Sequence, residues 1–315
     1  MKIQSLRIDS FDPGAMEETI KDCSFEHVQL EPGLFHGDLL AAESASQRMD
    51  YGHYNLSLHV RGSMPDRRIT LGFVMQSPEN TSLNGTIIDG PTLVVLREGE
   101  MLDYRLAADT KWMAFQVAGE AMEQLGIELS YLPRAPVSQT RLPRLQAMER
   151  ELHAAIATLA EISEPSVEGI VAPDQFGRKA FADIMDQFQG ILGALAPTSL
   201  RHSPRRQEDY RLFRRAVDYI DAGLTGELQI GMLCRELDTN WRSLERAFAR
   251  LLGVTPKRYL QLARLARARR LLVQSRQKGL TVSEVAMACG INHLGRFSQA
   301  YRSIYGETPS QTLRH

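Results

Sequence analysis

Cysteine is scarce in this chain. Cys23, Cys234 and Cys289 are the only three in 315 residues, far apart and odd in number. That excludes a disulfide framework and offers no zinc-ligand spacing. They read as reduced, mostly buried thiols of a cytoplasmic protein. No apolar run approaches the roughly 18 residues needed to span a bilayer, and the opening MKIQSLRIDSFD lacks the hydrophobic stretch of a signal peptide. No membrane partner is expected. A Gly-rich phosphate loop and a nucleophile elbow are equally missing. His36, His53 and His59 form no HxH pair followed by a suitably spaced Glu, so they read as surface or core histidines. No catalytic residue, metal site or cofactor is assigned.

Negative charge is what the C-terminal part lacks. The whole chain carries a formal −1. From Arg201 to His315 there are 21 Lys and Arg against 10 Asp and Glu, a net of +11, which leaves −12 for the first 200 residues. A basic block on an acidic body is the electrostatic footprint of a nucleic-acid-binding module.

Patterning divides the chain. Apolar and polar residues alternate between about residues 24 and 118, as in Tyr54–Val60, Ile69–Met75, Thr92–Leu96 and Trp112–Val117, with turn candidates at Arg61–Asp66, Asn84–Gly85 and Asp89–Gly90. Short strands at that spacing predict an antiparallel sandwich or barrel. The period then becomes helical over Leu142–Ile162 and Gln175–Leu195. These two helices are expected either to pair with each other and with a second subunit, giving a homodimer, or only to cover one end of the barrel. Ala196–Gln207, with two prolines, two serines and four basic residues, reads as a linker. The expectation is an α+β multidomain protein: residues 1–120 a β-barrel sensing domain, 121–197 a helical dimerisation region, and 205–315 an all-α DNA-binding domain.

One supersecondary pattern occurs twice in the basic block. In Leu228–Leu252, the residues Ile230, Leu233, Cys234 and Leu237 form a short amphipathic helix. Asp238–Asn240 supplies a turn and N-cap. Leu244, Ala247, Phe248 and Leu251 then line the inner face of a second helix. In Thr281–Tyr305 the same roles fall to Val282, Val285, Ala286 and Cys289, to Gly290 at the turn, and to Phe297, Ala300, Tyr301 and Ile304. Between them Pro256–Ser275 reads as one long helix. Such a spacer can hold two recognition helices in successive major grooves, roughly 34 Å apart.

The runs SLERAFARLLGVTPKRYLQLARLARARRLL, TVSEVAMACGI and FSQAYRSIYGETPSQTLR resemble the DNA-binding domain of the AraC/XylS transcription regulators over roughly Tyr210–Arg314. The pattern differs at Ile291, where an aromatic commonly follows the glycine, and at Tyr301, where Phe is commoner. The resemblance implies base-facing positions at Arg242, Glu245 and Arg246 in the first recognition helix. In the second they fall at His293, Gly295, Arg296 and Gln299, where Gly295 contributes no side chain. Arg250, Lys257 and Arg302 are expected on phosphates. Arg pairs bidentately with guanine and Gln with adenine, and Glu accepts from cytosine. The family's architecture further implies a cupin-like barrel sensor, double-stranded DNA and RNA polymerase as partners, a small-molecule effector, and action as an activator. The alternatives are a cupin-type enzyme with an attached DNA-binding domain, or a regulator responding to a smaller metabolite or a protein partner.

Asn80–Gly85, NTSLNG, fits [DN]xSxxG, which resembles half of the cyclic di-GMP site of PilZ domains. The arginines that would complete it, Arg61, Arg67 and Arg68, stand upstream at a different spacing from that pattern's RxxxR. Guanidinium groups stack on guanine and pair with phosphate, so the candidate effector site is Arg61, Arg67, Arg68, Asn80, Ser82 and Gly85, with cyclic di-GMP as ligand. A polar hairpin turn is the other reading.

Overall fold

The structure, a computed structural model, describes the chain apart from residues 18–19, 21, 45–46, 77, 79–80, 89, 119–131, 134–136, 139–143, 163–169, 172–174, 193–203, 225–227, 276–278 and 315. Thirteen strands are described: β1 (Lys2–Ile8), β2 (Ser24–Gln29), β3 (Gly37–Glu43), β4 (Gln47–Tyr54), β5 (Leu58–Ser63), β6 (Arg68–Gln76), β7 (Thr81–Leu83), β8 (Thr86–Ile88), β9 (Thr92–Leu96), β10 (Met101–Leu106), β11 (Lys111–Ala118), β12 (Val137–Ser138) and β13 (Ile170–Val171). They pair antiparallel in two sheets, ordered β12-β9-β6-β11-β4-β3-β1-β13 and β2-β5-β10-β7-β8. Among the described residues these pairings close no barrel.

Period-two alternation sends successive side chains to opposite faces of each sheet. On β11, Trp112 and Ala114 join one core, whereas Met113, Phe115 and Val117 join another. On β9, Val94 and Leu96 part in the same way from Leu93 and Val95. The first core fills the space between the sheets. The second lies on the far face of the eight-stranded sheet, under α1 (Arg144–Ile162) and α2 (Gln175–Leu192). Leu145, Met148, Leu152, Ile156 and Leu159 of α1 and Phe181, Ile184 and Phe188 of α2 are buried there. The apolar stripes of both helices are thus spent on the chain's own sheet.

Tyr54–Val60, expected as one strand, is broken. β4 ends at Tyr54 and β5 begins at Leu58. Asn55 makes the turn, accepting from the His36 backbone N–H at 2.7 Å and donating to the Leu34 carbonyl at 2.9 Å. A short polar side chain that replaces lost ladder bonds favours a turn over a strand.

The C-terminal block contains α3 (Pro204–Gly223), α4 (Ile230–Glu236), α5 (Trp241–Leu252), α6 (Pro256–Ser275), α7 (Val282–Ala288), α8 (Leu294–Tyr305) and α9 (Pro309–Arg314). Asn240 caps α5 by accepting from the Ser243 N–H at 2.9 Å, and Thr281 with Glu284 forms a capping box on α7. Gly253 and Gly306 end α5 and α8 in the left-handed region, at φ 71° and 76°, where a Cβ would be strained. Core residues of these helices run without interruption into those between the sheets.

Candidate nucleic-acid interface

The two helix pairs, α4–α5 and α7–α8, are joined by the 20-residue α6. Buried Leu244, Ala247, Phe248 and Leu251 fix which side of α5 faces inward; Phe297, Tyr301 and Ile304 do so for α8. The opposite sides carry the polar residues at the same helical spacing. A cleft of about 830 Å³ lies between the pairs, with Trp241, Lys257, Arg258, Arg264, His293 and Arg296 on its walls.

Arg242, Lys257, His293, Gly295, Arg296, Gln299 and Arg302 are exposed, and Glu245 is half-buried. His293 stands at the N-cap of α8 without a side-chain capping bond. Arg246 and Arg250 are placed differently. Both reach Asp209 of α3: Arg246 through Nε and Nη2 at 3.1 and 3.0 Å, Arg250 through Nη1 at 3.3 Å. The sequence held no signal for this, because Asp209 lies 37 residues before Arg246 and looks like any acid on an exposed helix.

Arg269 was equally illegible. It is 3% exposed and donates to the Tyr301 hydroxyl at 3.0 Å, Glu307 at 2.7 Å, Thr312 at 3.2 Å and the Phe11 carbonyl. The hydroxyl that distinguishes Tyr301 from the commoner Phe is therefore used, holding a buried guanidinium between α6, α8 and α9. Burial pushes the Cys289 thiol up to about 11 and the Cys23 thiol up to about 12, which leaves both as unreactive packing groups.

The five described residues of the six expected to bind an effector are not gathered in one place. Arg61 is buried and ion-paired with Asp218 at 2.5 Å and Asp221 at 2.8 Å, both on α3. Arg67 is exposed in the turn before β6. Arg68, on the other sheet, reaches Gln116 at 3.3 Å and Asp22 at 3.8 Å. Ser82 donates to the carbonyl of Leu251, in the last turn of α5, at 3.1 Å. Asn84 and Gly85 form the β7–β8 turn with positive φ at both, the geometry of a tight hairpin, and a Cβ on Gly85 would meet the Tyr210 ring at 2.5 Å. Asn80 lies outside the described residues.

The outer face of the five-stranded sheet is instead a docking surface for the helices. His59 Nε2 donates to Asp103 and its Nδ1 shares a hydrogen bond with the Tyr259 hydroxyl of α6, each at 2.9 Å. Gln29 donates to the Ile304 carbonyl at 2.9 Å, and the Gly33 N–H does so at 3.1 Å. The sheets therefore reach the last turns of both α5 and α8.

Between the sheets is an apolar cavity of about 50 Å³, walled by Phe25, Val60, Leu102, Tyr104 and Trp112 among others. Among the described residues His27 Nδ1, Thr70 Oγ1, Tyr104 OH and Trp112 Nε1 are buried without hydrogen-bond partners, and all four residues line it. Burial holds His27 down at about 3, hence uncharged. Among the described residues no group of three or more His, Cys, Asp or Glu could share a metal ion, and no helix is long and apolar enough to cross a membrane.

Comparison with known proteins agrees with the helical block. Residues 233–315 match the family model described as a helix-turn-helix domain. A probable thc operon regulatory protein of Rhodococcus erythropolis is 35% identical over 103 residues, 33% of this chain and 31% of that protein. A XylDLEGF operon transcriptional activator of Pseudomonas putida is 29% identical over 149 residues, 46% of each. The chain thus spans 31% and 46% of the length of these two relatives. A solved structure of a probable AraC family transcriptional regulator from Rhodopseudomonas palustris CGA009 is 32% identical, covering 33% of this chain and 95% of that one, with a TM-score of 0.31. Through the helix pairs of its C-terminal third, this chain carries a helix-turn-helix domain of the AraC/XylS type.

Proposed function

We propose that this protein regulates transcription, as an activator, by binding specific duplex DNA through α5 and α8. The observation that carries this reading is the pair of recognition helices with exposed polar faces, Arg242 on one and Arg296, Gln299 and Arg302 on the other, in a block of net charge +11. Base contacts fall to Arg242, Glu245, His293, Arg296 and Gln299; Lys257 and Arg302 serve phosphates. RNA polymerase and a second copy of the chain belong to the same reading as partners. A fluorescence titration against duplexes selected by the protein from a random pool tests it. Selection that enriches no sequence would overturn it.

An effector acts, in this reading, through the space between the sheets. What supports it is the cavity with four unpartnered polar atoms in an otherwise apolar wall. Buried polar groups ordinarily find a hydrogen-bond partner, and a bound molecule would supply it. The cavity suits a small, uncharged, largely apolar compound with one or two hydrogen-bonding groups. It is smaller than the roughly 150 Å³ engineered cavity that binds benzene, so a cyclic dinucleotide does not fit it. A thermal-shift screen of compounds smaller than benzene, such as short-chain alcohols and amides, against the full chain tests this part: a ligand present at 100 times its Kd adds about 2.7 kcal/mol to folded-state stability. Loss of that shift in Tyr104→Phe locates the site.

A further inference from the structure

Asp209 lies on α3 among exposed Arg205, Arg206, Gln207 and Glu208, yet it is only 4% exposed itself. A buried carboxylate needs partners, and it has two cations, Arg246 and Arg250. These stand four residues apart on α5 and so share one face of it. Arg246 remains 44% exposed, within reach of solvent and of anything docked there. Tyr210, the next residue, packs against Gly85 of the β7–β8 turn and donates to Asn84 at 3.3 Å. Ser82, two residues before that turn, holds the Leu251 carbonyl. Ser82, Asn84 and Gly85 therefore back both the Asp209 cluster and the end of the helix that this cluster grips.

We propose that Asp209 is a positioning residue for DNA recognition. It holds Arg246 and Arg250 as a pair, withholds both cations from random phosphates, and fixes the rotation of α5, so that the selectivity of the first recognition helix depends on this carboxylate. The proposal rests on the DNA-binding reading above. A free guanidinium binds any phosphate and releases a counterion whatever the sequence. A guanidinium held by a buried carboxylate contributes to DNA binding only where the gain exceeds the lost ion pair, and a random site offers least of that gain.

The test compares full-length wild type, Asp209→Asn and Asp209→Glu on a selected duplex and on a random duplex over a range of salt. Asp209→Asn is expected to tighten random binding and to steepen the slope of log K against log salt by up to about 0.9 for each freed arginine. The selected-to-random ratio should fall severalfold. Adding Arg246→Ala and Arg250→Ala to Asp209→Asn should remove the extra slope, and Asp209→Glu, which keeps the charge, should stay near wild type. An unchanged slope and ratio in a folded Asp209→Asn variant would overturn the proposal while leaving the DNA-binding reading intact. A wild type with no salt-dependent duplex binding would sink that reading and the proposal together. If Asp209→Asn does not fold, the arginine Nε–H signals of the wild type decide, with that of Arg246 identified by its loss in Arg246→Lys. Protection from exchange that persists on random duplex supports the proposal, and its absence in the free protein contradicts it.

Discussion

Single residues carry much of what joins the sheets to the helices. Arg269 bonds to Tyr301, Glu307, Thr312 and the Phe11 carbonyl, and removing one partner of a buried charge pair typically costs about 3–5 kcal/mol. Arg269→Met should therefore lower the stability of the full chain, read from urea unfolding, by an amount in the lower part of that range, since Glu307 is partly exposed and can rehydrate. A loss below about 1 kcal/mol, the size of an ordinary surface change, would contradict the role given to it. Asp221 makes a different prediction. Burial pushes its carboxyl up to about 7; Arg61 opposes that rise, and Glu26 and Asp218 add to it. A carboxyl raised in the folded state favours folding while protonated, and that contribution fades as pH climbs from the ordinary carboxylate range through about 7. The wild type should lose more stability between pH 5.5 and pH 8 than Asp221→Asn does. Parallel pH profiles for the two would refute the assignment.

At the scale of elements, the helices of the basic block were legible because each leaves a local mark. Asn240, Thr281 with Glu284, and Gly253 and Gly306 punctuate α5, α7 and α8 within a few residues of the apolar stripe they bound. Asn240→Ala should accordingly cost about 1 kcal/mol of stability through the lost cap, read as a shift in urea midpoint at unchanged slope. Arg296→Ala, on the exposed side of α8, should cost about 1–3 kcal/mol on a selected duplex and little on random DNA, whereas Arg302→Ala should weaken both about equally. Equal losses for the two variants would remove the distinction between reading and gripping. What the sequence did not disclose is long-range. The Asp209–Arg246 pair, the His59–Asp103–Tyr259 chain and the Ser82–Leu251 bond join residues tens to hundreds of positions apart, and pattern and propensity report only on near neighbours. NTSLNG shows the limit well. Its residues announce both a turn and a polar site, and only the Tyr210 ring against Gly85 shows what the turn touches.

At the scale of the whole molecule, the alternation of β5 and β10 serves two faces at once. Val60 and Tyr104 face the cavity, while His59, Arg61 and Asp103 face the helices. The wall between the sheets is thus one strand's thickness from the bonds to α3 and α6. The central claim, that the basic block grips DNA through phosphates and reads it through two helices, is tested most directly by titrating a selected duplex with the full chain from about 50 to 200 mM salt, a range over which six to ten phosphate contacts weaken binding roughly 10³- to 10⁵-fold. Log K should fall linearly with log salt at about −0.9 per phosphate contact, and a random duplex should share most of that slope at lower affinity. Binding that is insensitive to salt, or equally tight for selected and random DNA, would contradict it.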